Sequence, residues 1–290
     1  MPPRSCKSCR KPEPGLFKRL FGGRGHEMDD QWCCSRPCLE RAVTRAVEQY
    51  LRHPIPEVDY QHRIRIGTLL LQRGLLTQEQ LQEVVTRQKQ EGGTIGSHIL
   101  SLGYCTEEQL VAALSEQQGV PWVGGLHLRV RPSHASLIPW QLCSQFCVFP
   151  FDYDEENRAL FLAARSPVRI ALVHVMRKML DLNLRAFIVA DKTFDELFAE
   201  YGKTHPRKNE VHYEVLRRGK EVAESLWREL RRFRPSRIKL AHYESYFWMR
   251  MIRGRRVFDC FVTLPREELA GTARKNLPTA LAVEGQVIEG

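Results

Sequence analysis

The sequence lacks any long apolar run. Its most apolar uninterrupted stretch, Ala159–Ala164, is six residues long, whereas a helix that spans a bilayer needs about 18 or more consecutive apolar residues. The basic N-terminal segment is not followed by the apolar stretch of a secretory signal. From these two absences we expect a cytoplasmic protein without a transmembrane segment.

The sequence also lacks a phosphate-binding loop. A P-loop follows the pattern G-x4-G-K-[ST], in which backbone amides cradle the phosphates. The Gly-Lys-Thr triplet at Gly202 has Leu197, not glycine, five residues before it. The ten histidines are scattered and none lies in a hydrolase signature. The sequence therefore predicts a protein that is not an enzyme.

The composition excludes a wholly disordered chain and a fibrous one. Hydrophobic residues make up 43% and charged residues 27% of the sequence, which is typical of globular proteins. A chain of 290 residues is long enough for two or three modules. The net charge of +10 is uneven, because His205–Arg256 holds 15 Lys and Arg against 6 Asp and Glu, a local excess of +9. This excess is compatible with anionic partners for the C-terminal quarter and equally with an ordinary solvated basic surface.

Five of the nine cysteines lie near the N-terminus, and four of them are paired in short loops. Each loop aims two sulfurs at one point, which is what tetrahedral Zn²⁺ requires, and four thiolates leave no open coordination position. We therefore predict a structural zinc site. Its ligands are Cys6, Cys9, Cys34 and Cys38.

Two alternative ligands stay open. His26 could bind the metal in place of one cysteine, and Cys33 could bind it in place of Cys34. The alternative to a metal site is a set of free cysteines in a flexible tail. The run from Trp32 to Cys38, leading into a helix pattern, resembles the second half of treble-clef or MYM-type zinc fingers.

An internal repeat precedes the middle of the chain. The 24 residues from Arg65 align with the 24 residues from Thr94 at an offset of 29, with nine identical positions. A fixed offset indicates a duplicated supersecondary unit. The identical pairs are Ile66/Ile95, Gly67/Gly96, Leu71/Leu100, Gly74/Gly103, Thr77/Thr106, Glu79/Glu108, Gln80/Gln109, Leu81/Leu110 and Gln88/Gln117.

Each copy carries the signals of a helical hairpin. A short helix is predicted over about residues 67–73, ending at Gly74, which tolerates the left-handed conformation. Thr77 is expected to cap the next helix, with Gln80 completing a capping box, and Thr106 with Gln109 repeats the pattern. Apolar spacing then places one face of each second helix against its neighbours. We expect two hairpins whose apolar faces need each other.

The tandem pattern, followed by QQGVPWV at Gln117–Val123, resembles the N-terminal domain of type II secretion and type IV pilus assembly ATPases. It is most similar to the cyclic-di-GMP-binding form of that domain, called MshEN. Ser136–Gly202 is similar to the small α/β half, so the resemblance covers roughly residues 62–202. It implies that fold, a cyclic-di-GMP ligand and a protein partner in a secretion, pilus or signalling assembly.

The resemblance also implies a ligand site in which two such motifs wrap one cyclic-di-GMP. Arg65 matches the family arginine and is expected to pair with a phosphate or a guanine edge. Gly67 is expected to let the ligand approach the backbone, because glycine has no Cβ. The implied ligand-binding residues are Arg65, Ile66, Gly67, Leu70, Gly74, Leu75, Leu76, Leu81, Val85, Gln88, Ile95, Gly96, Tyr104, Leu110, Leu114 and Gln117.

The second copy departs from the family at its first position. Thr94 stands where strong binders carry arginine, and Ser166-Pro167 replaces an Asp-Pro pair. A hydroxyl cannot make a charge-assisted contact with a phosphate, so we expect binding mainly through the first copy. The alternative is that the apolar residues only hold the helices together, and that the domain is a constitutive protein–protein scaffold.

The basic C-terminal region has a mixed pattern. Val211–Phe233 predicts a charged helix, and Arg237–Leu240, Tyr246–Ile252 and Arg256–Val262 predict strands or a buried hairpin. Basic residues interleaved with aromatic ones are compatible with nucleic-acid binding by stacking and phosphate contact. An ordinary α+β domain with a basic surface is the favoured alternative, because no nucleic-acid motif is present. The aromatic residues are Tyr243, Tyr246, Phe247 and Trp248.

Taken together, the sequence predicts an α+β protein with a tandem helical-hairpin repeat packed with a small α/β unit. An N-terminal zinc knuckle and a C-terminal basic α+β region flank it. The expected segments are a zinc knuckle with its helix at 1–52, the secretion-ATPase-like domain at 62–202, the basic region at 205–264 and a flexible tail at 265–290. The expected function is a non-enzymatic regulatory or adaptor protein that senses cyclic-di-GMP.

Overall fold

The computed structural model describes residues 4–14, 25–52, 64–125, 128–135, 137–204 and 210–265. The Pro-marked linker at 53–56 and nearly all of the predicted tail lie outside these residues. The chain forms two compact units, one made of Met1–Pro56 with Glu210–Gly290 and the other of Glu57–Asn209. The N-terminal and C-terminal segments of the sequence are thus parts of one unit.

The first unit begins with a small hairpin and a long helix. Strands β1 (His26–Met28) and β2 (Gln31–Cys33) pair antiparallel. The turn between them uses Asp29 and Asp30 at φ 48° and 62°, a left-handed conformation that aspartate tolerates better than most residues. Helix α1 (Arg36–Arg52) buries an apolar stripe that includes Leu39, Val43 and Val47, and this stripe fixes which face meets the core.

The second unit begins with four helices, two from each copy of the repeat: α2 (Ile66–Gln72), α3 (Gln78–Glu91), α4 (Ile95–Ser101) and α5 (Glu107–Gln118). The predicted capping boxes of Thr77 and Thr106 are both present. Gly74 and Gly103 follow the first helix of each copy at φ 67° and 70°, as predicted for a left-handed position after a helix end. The helical-hairpin prediction is confirmed.

The two hairpins pack through contacts between helices of different copies. Helix α2 contacts α5 of the other copy, and α3 contacts α4. One apolar cluster joins both copies, so neither copy buries its apolar face alone. Its buried members are Leu69, Leu70, Leu76, Val84, Ile99, Leu110 and Ala113.

The remainder of the second unit is the predicted α/β part. Short helices α6 (Pro132–Ala135) and α7 (Trp140–Phe146) precede strands β3 (Val148–Asp154) and β4 (Ala159–Ala164), which pair antiparallel. Helix α8 (Ile170–Leu180) then connects β4 to the parallel strand β5 (Asn183–Ile188), and α9 (Asp191–Thr204) follows. A parallel pair requires such a crossover. The three-stranded sheet has the order β3-β4-β5.

The chain then returns to the first unit. It adds β6 (Glu210–Val215), α10 (Gly219–Phe233), β7 (Arg237–Tyr243), β8 (Tyr246–Arg253) and β9 (Arg256–Thr263). The sheet has the order β2-β1-β7-β8-β9-β6. The strand prediction for residues 237–262 is confirmed.

The continuous helix predicted over Val211–Phe233 is wrong at its start. Residues 210–215 form β6, which pairs parallel with β9. Tyr213 and Val215 are 48% and 63% exposed, so Val215 does not belong to the buried stripe of α10. The stripe of Val222, Leu226 and Leu230 is buried and begins only after Gly219.

The aromatic residues that suggested base stacking lie mostly in the interior. Tyr243, Phe247 and Trp248 are 6%, 0% and 3% exposed. The indole of Trp248 donates to Asp259 Oδ1 at 2.8 Å and its ring stacks on Phe261. These rings cannot stack on nucleic-acid bases, which corrects that interpretation. Within the described residues, no helix is both long and apolar enough for a membrane span.

Candidate functional site

Four cysteine sulfurs converge at the N-terminal end of the first unit. The ligand atoms of Cys6, Cys9, Cys34 and Cys38 all lie within 4.8 Å of one another. The Sγ atoms of Cys9 and Cys34 are 3.5 Å apart, and those of Cys34 and Cys38 are 3.6 Å apart. All four are free thiols. These four residues could hold a metal ion.

Local backbone structure positions the four sulfurs. In the first loop, Arg10 N donates to Cys6 O at 2.9 Å and Arg10 takes φ 62°. In the second, the Ser35 hydroxyl accepts from Cys38 N at 3.4 Å at the start of α1. Lys7 N donates to Trp32 O at 2.8 Å and fastens the first loop to β2. The two loops therefore bring two sulfurs each to a common point.

Hydrogen bonds favour thiolates at two of these positions. Burial opposes ionisation of Cys6, but backbone N–H donors, led by that of Cys34 at 3.4 Å, lower its pKa to about 6. The Ser35 hydroxyl, followed by the Arg41 guanidinium 3.0 Å from Sγ, lowers the pKa of Cys38. Burial, then hydrogen bonding to Cys9 and Cys38, raises the pKa of Cys34 to about 12. Four adjacent thiolates without a cation are unstable because their charges repel.

The geometry fits a tetrahedral thiolate site. Zn–S bonds of about 2.3 Å place sulfurs about 3.8 Å apart. Two pairs of sulfurs lie 3.5 and 3.6 Å apart, and no pair among the four exceeds 4.8 Å. Neither open alternative to this ligand set belongs to the group of converging ligand atoms, although Cys33 borders Cys6. His26 Nδ1 is 2.9 Å from the Pro235 carbonyl oxygen, and Cys33 is fully buried in the hydrophobic core.

The second candidate site is the tandem repeat. Arg65 lies at the N-cap of α2, where its side chain makes no capping bond. It is exposed, and within the described part of the chain no hydrogen bond or ion pair engages its guanidinium. The residue is therefore available to an anion.

Thr94 holds the equivalent position in the second copy and has a different role. Its hydroxyl accepts from Ser97 N at 3.1 Å, and Ser97 Oγ accepts from Thr94 N at 3.3 Å. This reciprocal pair is a third capping box, at the start of α4. Thr94 is thus a helix cap as well as a missing arginine, and threonine just before a helix is itself a capping signal in a sequence.

The glutamines that close the two motifs also form matching contacts. Gln88 Nε2 donates to Gly93 O at 3.2 Å, and Gln117 Nε2 donates to Ile64 O at 2.6 Å. Gly93 and Ile64 each directly precede the first residue of a copy. Each copy thus ends by holding the backbone just before the start of the other.

The space in front of the motif glycines is occupied by side chains of the protein. A Cβ added at Gly67 lies 2.6 Å from Leu81 Cδ1, and one added at Gly96 lies 3.1 Å from Leu110 Cδ2. The predicted ligand approach at Gly67 is therefore taken by Leu81. At both positions a leucine of the same copy packs directly against the helix, so a side chain there requires that leucine to move.

The predicted ligand contacts divide by burial. Arg65 and Gly74 are exposed, whereas Gly67, Leu70, Leu76 and Leu110 are buried, which keeps them from a surface ligand. The half-buried members are Ile66, Leu75, Leu81, Val85, Gln88, Ile95, Gly96, Tyr104, Leu114 and Gln117.

Two contacts at the motif surface were not foreseen. Arg73 pairs with Glu116 of the other copy, and the Tyr104 hydroxyl donates to Glu83. The Glu83 contact raises the pKa of Tyr104. Both connect the two copies, and no local pattern in the sequence signals them.

Comparison with known proteins finds a family match in the second unit, in the part that follows the tandem repeat. The MshEN domain family matches residues 118–208, which begin at the end of α5 and hold the three-stranded sheet. The type IV pilus assembly ATPase PilB of Thermus thermophilus is 28% identical over 36% of this chain and 12% of its own length. PilB of Myxococcus xanthus is 25% identical over 47% of this chain and 24% of its own.

A third relative is a protein of a different name. Bacteriophage adsorption protein B of Escherichia coli is 27% identical over 56% of this chain and 22% of its own length. The chain thus spans between 12% and 24% of these curated relatives. Their ATPase or other parts lie largely outside the matched region.

Solved structures give looser matches. A structure of MshE with cdg is 24% identical, covers 48% of this chain and 99% of that chain, and has a TM-score of 0.40. The N-terminal domain of XpsE is 21% identical over 47% and 92%, with a TM-score of 0.33. On the family match, the chain contains an MshEN-like domain, and the two PilB relatives are type IV pilus assembly ATPases.

Proposed function

We propose that the chain is a non-enzymatic regulatory protein that binds cyclic-di-GMP through the tandem repeat and passes this state to a protein partner. The partner belongs to a pilus, secretion or signalling assembly. A cytoplasmic location is part of the proposal, since the ligand is made inside cells and free thiols suit a reducing compartment.

The observation that carries the proposal is the exposed guanidinium of Arg65, which no described residue engages, beside half-buried apolar side chains. Ile66 lies next to it, and Gln117 of the other copy reaches the backbone at Ile64. A guanidinium offers paired N–H donors to a phosphate, and apolar side chains offer a surface to a purine. The charge and this apolar side chain come from the first copy, and the second copy contributes Gln117 beside them.

A protein–protein scaffold without a nucleotide is the second candidate. The observation that favours it is the filled space at Gly67 and Gly96, together with the burial of Leu70, Leu76 and Leu110. These motif residues hold helices together and need no ligand to explain them. In this case the surface of the repeat serves as a docking face throughout.

A structural zinc ion held by Cys6, Cys9, Cys34 and Cys38 is the second part of the proposal. The sulfur separations and the thiolate-stabilising hydrogen bonds support it. The metal would supply two positive charges that offset the crowded thiolates, and it would leave no open position for catalysis.

Calorimetric titration of the full chain with cyclic-di-GMP tests the main proposal. We expect saturable binding that Arg65→Ala weakens at least tenfold, because it removes a charge-assisted contact. Arg129→Ala is the matched control, since Arg129 is exposed in the same unit and outside both motifs. Absence of binding in the unmodified chain would support the scaffold instead.

A further inference from the structure

We infer that metal bound by the four cysteines governs the fold of the whole six-stranded unit, including the basic region some two hundred residues away in sequence. The Glu57–Asn209 unit keeps its fold without the metal. The inference rests on the zinc site proposed above and adds what that site controls.

The first step is that the cysteine loops hold the hairpin of β1 and β2. Cys34 N donates to Cys6 Sγ, and Lys7 N donates to the carbonyl of Trp32, the middle residue of β2. Residues 4–14 form no helix or strand beyond one isolated bridge. A segment with so little structure of its own depends on the metal to fix its loops.

The second step is that β1 lies inside the sheet, between β2 and β7. Glu27 N donates to Ser236 O at 2.9 Å, and Asp29 N donates to Ile238 O at 3.0 Å. The Asp29 carboxylate also accepts from Leu240 N at 3.1 Å. If the hairpin loosens, β7 loses the backbone partners on that side and becomes a sheet edge.

The third step is that α1, which starts within the cysteine cluster, packs against α10. Trp227 Nε1 donates to Glu40 O at 3.3 Å, and the Arg231 guanidinium pairs with the Glu40 carboxylate at 3.1 Å. Arg36 donates to Arg231 O at 3.2 Å. Cys38 lies in the first turn of α1, so the metal fixes the position of this turn. The same turns of α1 contact the C-terminal part of α10.

The fourth step is that the two segments share one core. Cys6, Trp32 and Val43 belong to the same buried cluster as Leu226 and Phe258. The ring of Tyr50 in α1 stacks on His242 in β7, with centroids 5.5 Å apart. Such a core cannot persist in one segment when the other is displaced, because each buries the apolar surface of the other.

The second unit has no such dependence. It contains none of the four ligands and has its own apolar cluster across the helical repeat. Structural zinc in small domains contributes binding free energy of the same order as the whole stability of a domain. The free energy lost with the metal is therefore large enough to unfold the first unit, and the second unit holds none of the metal's ligands.

Hydrogen–deuterium exchange of the full chain, read by mass spectrometry before and after zinc removal, tests the inference. Zinc content is measured on the same samples. We expect about one zinc per chain, and at least tenfold faster exchange in α10, β7, β8 and β9 after chelation. Peptides from α2 to α9 should not change, and added Zn²⁺ should restore protection.

Variants provide a second measurement on the same chain. Cys38→Ser should lose zinc and expose the same peptides, whereas Cys105→Ser, which lies in the helical repeat outside the cluster, should do neither. One bound zinc with unchanged exchange in β7–β9 on chelation overturns the inference and leaves the metal site intact. Absence of bound zinc overturns both, and equal loss of protection in the two units also overturns the inference.

Discussion

The side-chain amide of Gln117 donates to the backbone carbonyl of Ile64 at 2.6 Å, across 53 residues of sequence. Gln88 makes the equivalent bond to Gly93 at 3.2 Å. Gln88 and Gln117 are 29 residues apart, and so are their acceptors, Ile64 and Gly93. The duplication is therefore preserved in the contacts between the copies as well as in the helices.

These two bonds should contribute similarly to stability. Replacement of either Gln117 or Gln88 by alanine is expected to lower the free energy of unfolding of the Glu57–Asn209 unit by about 1 kcal/mol, the usual net value of one hydrogen bond. Gln82→Ala, on an exposed site of α3, is the control and should change stability by less than about 0.5 kcal/mol. Urea unfolding measures all three, and a neutral Gln117→Ala result contradicts the prediction.

The two motif glycines should differ in their tolerance of alanine. Gly67→Ala places a Cβ 2.6 Å from Leu81 Cδ1, and the resulting overpacking is expected to cost about 1–3 kcal/mol. Gly96→Ala should cost less, because its Cβ lies 3.1 Å from Leu110. Gly124→Ala is the control, since its added Cβ has no atom closer than 4.0 Å. Equal thermal shifts for Gly67→Ala and Gly124→Ala would rule out the packing explanation.

Thr94 should act on stability before it acts on any ligand. Thr94→Ala removes the α4 cap and should cost about 1 kcal/mol, whereas Thr94→Ser should keep the cap and the stability. Denaturant unfolding without ligand measures both. A Thr94→Ser variant as unstable as Thr94→Ala would show that the hydroxyl bond is not the cause.

Ligand affinity should depend on Arg65 more than on Thr94. Arg65→Ala removes an unengaged cation, and Thr94→Ala removes a hydroxyl already bonded to Ser97. Thr94→Arg should tighten cyclic-di-GMP binding, with a lower melting temperature because the cap is lost. Calorimetry of the three variants measures this order. Equal losses for the two alanine variants contradict the asymmetric site.

The six-stranded unit should lose stability in mild acid through His242. This ring is 1% exposed and lies against Phe247, and burial lowers its pKa to about 4 from an ordinary 6.5. Because the folded pKa is depressed, the unfolded chain takes up the proton first as the pH falls below 6.5. The stability present above pH 6.5 should then fall by about 2 kcal/mol by pH 5.

Comparison of unfolding at pH 7.5 and pH 5 in the unmodified chain and in His242→Phe checks this prediction. The difference between the two proteins isolates the histidine from the thiolates, which also titrate. The pH dependence should be weaker by about 2 kcal/mol in the variant. An unchanged pH dependence would show that His242 does not carry it.

The helical repeat could be predicted because its signals are local. Thr77, Gln80 and Gly74 define helix ends within a few residues, and a second copy repeats them. The burial of Leu70 could not be separated from ligand contact, because an apolar side chain at helical spacing serves either purpose. The packing of α5 against α2 shows that Leu70 is a core residue.

The six-stranded sheet could not be assembled from the sequence. Its β1 strand has three residues, and it pairs with a strand that begins at Arg237. Such a short strand carries no alternation to recognise, and no local pattern specifies a partner at that separation. The cysteine loops could be predicted as a metal site because their spacing is a local signal. Their place in a domain that the Glu57–Asn209 unit interrupts could not be predicted, because no local pattern joins the two segments.

The reciprocal bonds of Gln88 and Gln117 have a consequence for how this repeat can change in length. In a solenoid each repeat presents a free face to the next, so copies can be added or removed at the ends. Here the last residue of the second copy already holds the residue before the first. The two copies therefore close on each other through these bonds, and a third copy placed before the first would have to replace the contact of Gln117 with Ile64.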